Sequence, residues 1–410
     1  MDLTSNASLA RDPTMNKYAI GFIAIFICCA CQSTEAPVDW PIGEPEQPVE
    51  DPSSSRDCPS VDFDNWDPDE APFELYRYLA CRREDDENLV FSPAAIQIAL
   101  AELAEELDGA DGQAIAERLG YDSARQLVDD ADDYRADLLE RRPEVVDRDR
   151  GWFEYWIEEE DPQRLWEAVG VEFFSIRCSS ADSPGCQWHP QNERWSESFL
   201  DEARGVVDDE RSMPATQGFV LRGQWPGSMI VSRNELKFYV EKAHKVEVKQ
   251  LFASTHFVAE LGDVTVLQRS VVGEELGFIA IHSTDQSILE LEEQLSSAVV
   301  EEWVGALGRA SPRSGPQVSY PAFDVQETVD IAGFFGLSTP LQNTTRLAMD
   351  EEGLNFPDPI ELKTEPLGLV TTERYKRDYY AFERPFIYLV YDYVSESIVM
   401  MGRIANPSTK

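Results

Sequence analysis

The stretch that decides the fold is residues 88–121, "NLVFSPAAIQIALAELAEELDGADGQAIAERLGY". Its first four residues form a short apolar run, which predicts a strand. Ser92 and Pro93 then fit a helix start, because serine caps free N–H groups and proline is tolerated at the first helical position. An apolar stripe at helical spacing continues the helix through Ile96, Leu100, Leu103 and Leu107. Gly120 ends a second helix that follows it.

The sequence on either side of this stretch predicts helices first and strands later. Residues 71–83 have helical spacing. Residues 122–172 are acidic and have a helical pattern in which Trp152, Trp156 and Trp166 are interleaved. From residue 218 onward the apolar residues mostly alternate or run continuously, as in strands, and residues 287–307 form an amphipathic helix. We therefore predict an α+β domain, in which N-terminal helices pack around mainly antiparallel sheets.

Three further stretches follow in order: "FVLRGQW" (219–225), "PAFDVQETVDIAGFFGL" (321–337) and "FERPFIYLVYDYVSESIVMMGRIANPSTK" (382–410). Together with residues 88–121, they resemble the serpin superfamily of serine protease inhibitors, whereas residues 122–215 match it poorly. The resemblance implies one domain over residues 71–410, with three β-sheets surrounded by helices. Its signature positions here are Asn88, Phe91, Ser92, Pro93, Trp225, Phe323, Pro385, Phe386, Gly402, Asn406 and Pro407.

The resemblance also implies a mechanism for members that inhibit: a protease cleaves an exposed reactive loop, which then inserts as a strand into the main sheet. Such a loop needs sufficient length and a hinge of small residues. We assign "PIELKTEPLGLV" (359–370) as the main-sheet strand before the loop, which leaves the loop about a dozen residues short of the required span. We interpret Glu351-Glu352-Gly353, which resembles the hinge, as coincidental. A chain with such a short loop is predicted to be a non-inhibitory protein-binding module.

A basic bait is the alternative. The resemblance implies a scissile bond at Arg374-Tyr375, and the residues around it are Arg374, Tyr375, Lys376 and Arg377. The positive charge of this segment suits trypsin-like proteases. In this hypothesis the chain inhibits a serine-type endopeptidase as a reversible plug or decoy. A solvated basic turn would explain the same residues.

The N-terminal residues predict export. Lys17 and the 13-residue apolar run 18–30 are typical of a signal peptide, and the run is too short to span a bilayer. Small residues before Cys31 resemble a bacterial lipobox with Cys31 as lipid anchor, although plain secretion and a retained anchor remain alternatives. Residues 1–14 are then untranslated or disordered. Residues 32–70, with seven prolines and twelve acidic residues, form an acidic tether.

Four cysteines remain in the exported part: Cys58, Cys81, Cys178 and Cys186. An even number in an exported protein indicates disulfides. We predict the pairs Cys58–Cys81 and Cys178–Cys186, and four free thiols are the alternative. The remaining three cysteines lie in or at the end of the predicted signal peptide.

The net charge of −42 disfavours nucleic acid and anionic membrane surfaces as partners, except through the lipid anchor. The sequence has none of the common nucleophile, zinc or phosphate-loop motifs, and its four histidines, at positions 189, 244, 256 and 282, have no ligand spacing. We therefore predict a monomeric, non-enzymatic protein without cofactor or metal. It would bind a protein partner, such as a serine protease, at the outer membrane or cell surface or after secretion. An unrecognised enzyme on this scaffold is a third hypothesis.

Overall fold

The computed structural model describes Cys58 and residues 67–107, 110–140, 153–156, 169–178, 186–190, 215–225, 229–240, 244–253, 257–271, 275–309, 317–337, 341–355, 363–366 and 379–409. All of them lie within one compact unit, Asp51–Lys410. The predicted signal peptide, Cys31 and the bait residues 374–377 lie outside the described residues. So does the predicted tether 32–70, except for Cys58 and residues 67–70.

Seven α-helices are described: α1 (Ala71–Cys81), α2 (Pro93–Glu106), α3 (Ala110–Arg118), α4 (Ala124–Glu140), α5 (Ile288–Glu292), α6 (Ser297–Arg309) and α7 (Ala332–Phe335). A 3₁₀ turn, Pro68–Glu70, precedes α1. The start of α2 matches the sequence prediction, since the Ser92 hydroxyl accepts from the Ala95 N–H at 3.0 Å and Pro93 is the first helical residue. None of the described helices combines the length and apolar character that crossing a bilayer requires.

The first ten strands are β1 (Leu89–Phe91), β2 (Phe153–Trp156), β3 (Val169–Cys178), β4 (Cys186–Pro190), β5 (Ala215–Gln224), β6 (Ile230–Val231), β7 (Leu236–Tyr239), β8 (Lys245–Val248), β9 (Gln250–Ala253) and β10 (Phe257–Leu261). The other ten are β11 (Val264–Ser270), β12 (Leu276–Ser283), β13 (Gln317–Pro321), β14 (Phe323–Asp330), β15 (Gln342–Met349), β16 (Gly353–Leu354), β17 (Lys363–Pro366), β18 (Tyr379–Ala381), β19 (Phe386–Asp392) and β20 (Ser397–Ile404).

These strands form three larger sheets and two strand pairs. The main sheet has six strands in the order β14-β15-β16-β5-β3-β4, and a second six-stranded sheet has the order β1-β20-β19-β12-β11-β10. A four-stranded sheet has the order β18-β13-β9-β6, and β7–β8 and β17–β2 form separate pairs. Most pairings are antiparallel; β15–β5 and β13–β18 are parallel. The predicted α+β architecture with three mainly antiparallel sheets is confirmed.

The signature residues at the two ends of the domain meet in the core. The Asn88 side chain donates to the Asn406 carbonyl at 2.8 Å and accepts from the Asn406 N–H at 2.8 Å. The Ser92 hydroxyl donates to the Val399 carbonyl at 2.7 Å. These bonds fix β1 and the start of α2 against the C-terminal strand, and the side chains of Phe91 and Phe386 are fully buried beside them.

Two parts of the sequence prediction differ from the structure. The sequence predicts a helical pattern over residues 122–172, but α4 ends at Glu140 and the chain forms β2 and the start of β3 within that range. Residues 287–307 form two helices, α5 and α6, rather than one. The aromatic residues of β2 favour strands, and its pairing partner β17 is about 200 residues away, so a helical pattern alone misjudges it.

Candidate functional site

Strand β15 lies in the main sheet, N-terminal to the predicted reactive loop. It pairs antiparallel with β14 along its whole length, from Phe323 opposite Met349 to Asp330 opposite Gln342. On its other side it runs parallel to β5, from Gln342 opposite Thr216 to Arg346 opposite Val220. Strand β15 is therefore a central strand of the main sheet, and the chain leaves its C-terminal end next to Trp225.

A tight turn follows β15. The Asp350 carboxylate accepts from the N–H groups of Glu352 at 2.9 Å and Gly353 at 3.0 Å, and the Asp350 N–H donates to the Gly353 carbonyl. Burial raises the pKa of Asp350, the two N–H donors oppose that shift, and the neighbouring carboxylates Glu351 and Glu352 add to it. The turn reverses the chain and directs Gly353 back into the sheet.

Trp225 holds this turn in place. Its N–H donates to the Glu352 carbonyl at 2.8 Å, and its indole N–H donates to the Asp350 carbonyl at 3.1 Å. The Arg269 guanidinium lies 5.0 Å from the centroid of the buried Trp225 ring, and burial lowers the pKa of Arg269 to about 10. The turn is thus anchored from β5 by a buried aromatic side chain.

The two residues of β16 form a wedge between β15 and β5. Gly353 lies opposite Gln224 and Leu354 opposite Gly223, both antiparallel to β5, and Leu354 also lies opposite Met349 of β15. The Leu354 side chain is fully buried. A short extra strand therefore already occupies this end of the main sheet.

Asn355 ends the wedge. Its side-chain NH₂ donates to the carbonyls of Leu221 in β5 at 2.7 Å and Arg346 in β15 at 3.2 Å, and its side-chain carbonyl accepts from the Ala348 N–H at 2.8 Å. The residue is 3% exposed and has a φ of 49°, a left-handed conformation that asparagine tolerates better than most residues. Its side-chain amide hydrogen-bonds to backbone groups of β15 and β5 that a longer inserted strand would need. From Arg346 back to Gln342, β15 pairs directly with β5.

We expect Asn355→Ala to lower the free energy of unfolding by about 2 kcal/mol, because it leaves the buried Ala348 N–H and Leu221 carbonyl without their partner. Denaturant unfolding of variant and parent measures the difference. Asn355→Gly is the matched control for backbone conformation, since glycine adopts positive φ without strain. A loss below 0.5 kcal/mol in Asn355→Ala would mean that water or a neighbouring group replaces these bonds.

The sequence prediction that residues 359–370 form the main-sheet strand before the loop is wrong. Of that segment, β17 pairs with β2 in a separate two-stranded sheet, from Lys363 opposite Trp156 to Pro366 opposite Phe153. Glu351-Glu352-Gly353 directly follows β15, a central strand of the main sheet. Residues 355–378 separate β16 from β18, so a loop counted from residue 370 is shorter than the connection that the structure shows.

The other end of the loop is fixed by β18. Tyr379–Ala381 runs parallel to β13, and the Phe382 N–H donates to the Ser319 carbonyl at 2.9 Å. The Phe382 ring stacks on Tyr320 at 4.9 Å and contacts His282 at 4.6 Å between centroids. Burial lowers the pKa of His282, which favours its neutral form in this aromatic cluster.

The structure places the remaining predicted residues as follows. Cys58 and Cys81 form a disulfide with an S–S distance of 2.14 Å. Cys178 and Cys186 lie directly opposite each other across β3 and β4, and their disulfide stays a prediction. Within the described ranges no group of histidine, cysteine and acidic side chains could hold a metal ion.

Known proteins resemble this chain over most of its length. Rat heparin cofactor 2 is 22% identical over 377 residues, which cover 82% of this chain and 76% of that protein. An alpha-1-antiproteinase from Callosciurus caniceps is 21% identical, covering 83% of this chain and 88% of that protein. A thyroxine-binding globulin structure in complex with thyroxine matches with a TM-score of 0.58 and 14% identity, covering 83% of this chain and 98% of that one. This is a serpin fold. The relatives support the assignment to the serpin superfamily, although no family model matches the chain.

Strand β15 and the Asp350–Gly353 turn lie where the serpin resemblance would place the hinge before the reactive loop. The sequence carried one direct signal for it, Glu351-Glu352-Gly353. Strand β15 has no apolar signal in the sequence because it buries polar residues: Asn343, Thr344 and Thr345 are all at most 3% exposed. A search for apolar strands passes over such a segment.

Proposed function

We propose that this serpin-fold protein is a binding module for a protein partner and does not trap proteases by loop insertion. The observation that carries the proposal is Asn355, whose side chain closes the wedge after only two residues. An inserting strand must extend past this point, between β15 and β5. It would have to break the Asn355 bonds and the direct pairing of those strands.

The chain after Asn355 opposes insertion by its chemistry. Its next residues are Phe356, Pro357, Asp358 and Pro359, where the serpin resemblance implies small residues. A proline has no N–H to donate to a strand ladder, and prolines are confined to edges or bulges of sheets. Pro357 and Pro359 lie near the start of the segment that would insert. They therefore remove backbone hydrogen bonds that a central strand needs on both sides.

A hinge replacement tests the proposal. The variant carries a family-like small-residue hinge through Leu354→Thr, Asn355→Glu, Phe356→Ala, Pro357→Ala, Asp358→Ala and Pro359→Ala. After cleavage by trypsin near Arg374, we expect its Tm to rise by about 10 °C or more, because a new central strand would add several kcal/mol. The parent protein should show no such rise after the same cleavage.

The matched control keeps both prolines and changes only residues 354–356. If it gains stability like the full replacement, Asn355 is the main barrier; if it gains none, the prolines are. A rise in Tm for the cleaved parent would overturn the proposal.

A reversible inhibitor is the second candidate. Strand β18 fixes the chain immediately after the basic cluster Arg374–Arg377, so that a bait there has one ordered end. The cluster is basic in a chain of net charge −42, which suits a protease that cleaves after arginine. Steady-state inhibition of trypsin tests it: Arg374→Ala should weaken inhibition by tenfold or more, while Lys376→Ala should weaken it less. If Arg374→Ala and Lys376→Ala weaken inhibition equally and only slightly, the result would favour a binding module that does not inhibit.

The attachment to a membrane is part of the proposal. Cys31 would carry lipid after removal of residues 15–30. The part of the predicted tether before Cys58, which the Cys58–Cys81 disulfide joins to α1, would hold the domain away from the membrane surface. Labelling cells with a radioactive fatty acid should mark the parent protein and leave Cys31→Ser unlabelled. Labelling of Cys31→Ser would exclude this residue as the anchor.

A further inference from the structure

The residue that follows strand β18 attaches this strand to the core. Strand β18 has only three residues and lies at the edge of the four-stranded sheet, where it pairs with β13. Its first residue, Tyr379, is 53% exposed, whereas Phe382, directly after the strand, is 1% exposed. A ladder of three residues holds a strand weakly, so the burial of the Phe382 ring is the main attachment of β18.

The Phe382 ring packs against an imidazole from β12. The ring centroids of His282 and Phe382 are 4.6 Å apart in an edge-to-face arrangement, and the Tyr320 ring stacks on Phe382 at 4.9 Å. The Nε2 atom of His282 is buried, and none of the residues that the structure describes forms a hydrogen bond with it. A neutral imidazole can leave Nε2 without a proton, but a protonated ring must place an N–H there, where no acceptor meets it.

The surroundings of the ring disfavour its protonated form. Burial lowers the pKa of His282, the Ser283 backbone opposes this shift, and the positive charge of Arg384 adds to it. Burial also raises the pKa of Tyr320, so this phenol stays neutral beside Phe382. The other titratable groups on the elements around the ring are Tyr380 of β18, Glu260 of β10, Arg269 of β11 and Asp263 between those two strands.

The two carboxylates of this set are bound elsewhere. Glu260 lies on the same face as His282, two strands away, and accepts from the Tyr380 hydroxyl at 2.8 Å. Asp263 accepts from the Ser283 hydroxyl at 3.3 Å. Neither carboxylate contributes to the pKa shift of His282. A proton on His282 therefore gains no counter-charge from these groups, and the Glu260–Tyr380 bond is a second attachment of β18.

We propose that His282 is a pH-sensitive latch on β18: the neutral ring holds Phe382 in the aromatic cluster, and protonation of the ring releases Phe382 and strand β18 from β13. A histidine released into water has a pKa of about 6.5. The latched state binds fewer protons than the released state, because burial lowers the pKa of His282 only while the ring is packed. The latch is therefore fully stable above about pH 6.5 and weakens as the pH falls below that value.

The release is local, because the chain is fixed again directly after Phe382. The Glu383 carbonyl accepts from the Tyr239 N–H of β7 at 2.7 Å. Strand β19 then begins at Phe386 and lies between β20 and β12, inside the second six-stranded sheet. Acid should free the chain up to Phe382 and leave β19 paired. The latch concerns the attachment of β18 and does not depend on whether the protein inhibits a protease.

Hydrogen exchange of the full chain at pH 7.5 and pH 5.0 tests the latch. The measured quantity is the protection factor of peptides that cover residues 379–382, corrected for intrinsic exchange at each pH. We expect it to fall at least fivefold at pH 5.0, and one histidine of ordinary pKa sets a ceiling of about thirtyfold over this range. Peptides of β19 should change less than twofold. Unchanged protection of residues 379–382, or an equal fall in β19, would overturn the proposal.

Variants of His282 separate its protonation from other effects of acid. His282→Phe keeps an aromatic ring beside Phe382, His282→Leu has a smaller side chain, and neither can be protonated. Both should hold the protection of residues 379–382 within twofold between the two pH values. Two controls should keep the pH dependence of the parent: His244→Gln, at an exposed histidine, and Glu260→Gln, which retains an acceptor for Tyr380. A fall like that of the parent in both His282 variants would overturn the proposal.

Nuclear magnetic resonance of the histidine side chains measures the protonation itself. The imidazole signal that is present in the parent and missing from His282→Leu belongs to His282. We expect this signal to titrate with a midpoint below the ordinary value of about 6.5, because the packed ring resists the proton. A midpoint at or above that value would mean that the latched state does not disfavour the proton, and it would overturn the proposal.

Discussion

Replacing Arg403 by Met lowers the free energy of unfolding by about 3–5 kcal/mol. Arg403 is fully buried in β20 and donates to both carboxylate oxygens of Glu292, at 3.0 and 3.2 Å. It also donates to the carbonyls of Glu87 at 2.9 Å and Glu84 at 2.6 Å, between α1 and β1. The loss is large because the substitution leaves the Glu292 carboxylate, itself 6% exposed, without its counter-charge.

A double-mutant cycle separates that cause from lost packing. Arg403→Met/Glu292→Gln removes the stranded charge but keeps an acceptor for the Tyr76 hydroxyl, which donates to Glu292 at 2.8 Å. Denaturant unfolding should show the double variant to be more stable than Arg403→Met alone. Arg125→Met is the exposed control: Arg125 faces Asp129 at 3.6 Å on the surface of α4, and its loss should change little. If Arg403→Met/Glu292→Gln is no more stable than Arg403→Met, the unpaired Glu292 charge is not the cause of the loss.

Gly402→Ala should destabilise the domain by about 3 kcal/mol or more through overpacking. A Cβ atom at Gly402 would lie 1.8 Å from the Leu89 carbonyl oxygen and 2.9 Å from the Tyr388 hydroxyl. Because Gly402 pairs with Val90 of β1 on one side and Tyr388 of β19 on the other, neither neighbouring strand can move without breaking its ladder. Thermal and denaturant unfolding measure the loss.

Gly308→Ala is the matched control for the glycine substitution. Gly308 lies in α6, where an added Cβ would meet no atom within 4 Å. Alanine in a helix is favoured over glycine by about 0.5–1 kcal/mol, so this variant should be slightly more stable than the parent. Similar losses in both variants would mean that the close approach of β1 to β20 is not the cause.

The sequence predicted those parts of the fold whose signals are local. Ser92 and Pro93 specify the start of α2 through capping chemistry, and the apolar run beginning at Phe386 specifies a central strand. The close approach at Gly402 belongs to the same C-terminal stretch, which the serpin resemblance identified. These features depend on neighbouring residues or on a contiguous pattern, and a single sequence displays both.

The structure around Asn355 could not be predicted from the sequence because it depends on partners that are distant along the chain. Buried Asn343 and Thr345 in β15 hydrogen-bond to each other at 2.7 Å, so that a central strand appears polar in sequence. The role of Asn355 depends on Leu221, 134 residues away, and no spacing rule reveals it. Likewise, β2 becomes a strand through its pairing with β17, which periodicity within residues 122–172 cannot show.

The most direct test mixes the purified protein with trypsin at near-equal ratio, followed by a denaturing gel and thermal unfolding of the product. We expect cleavage between Arg374 and Arg377, no SDS-resistant band at the summed mass, and no rise in Tm. That outcome would mean that the loop is exposed but does not enter the main sheet past Asn355. A covalent band at the summed mass, or a cleaved form that is markedly more stable, would show that the loop inserts and that the protein is a trapping inhibitor.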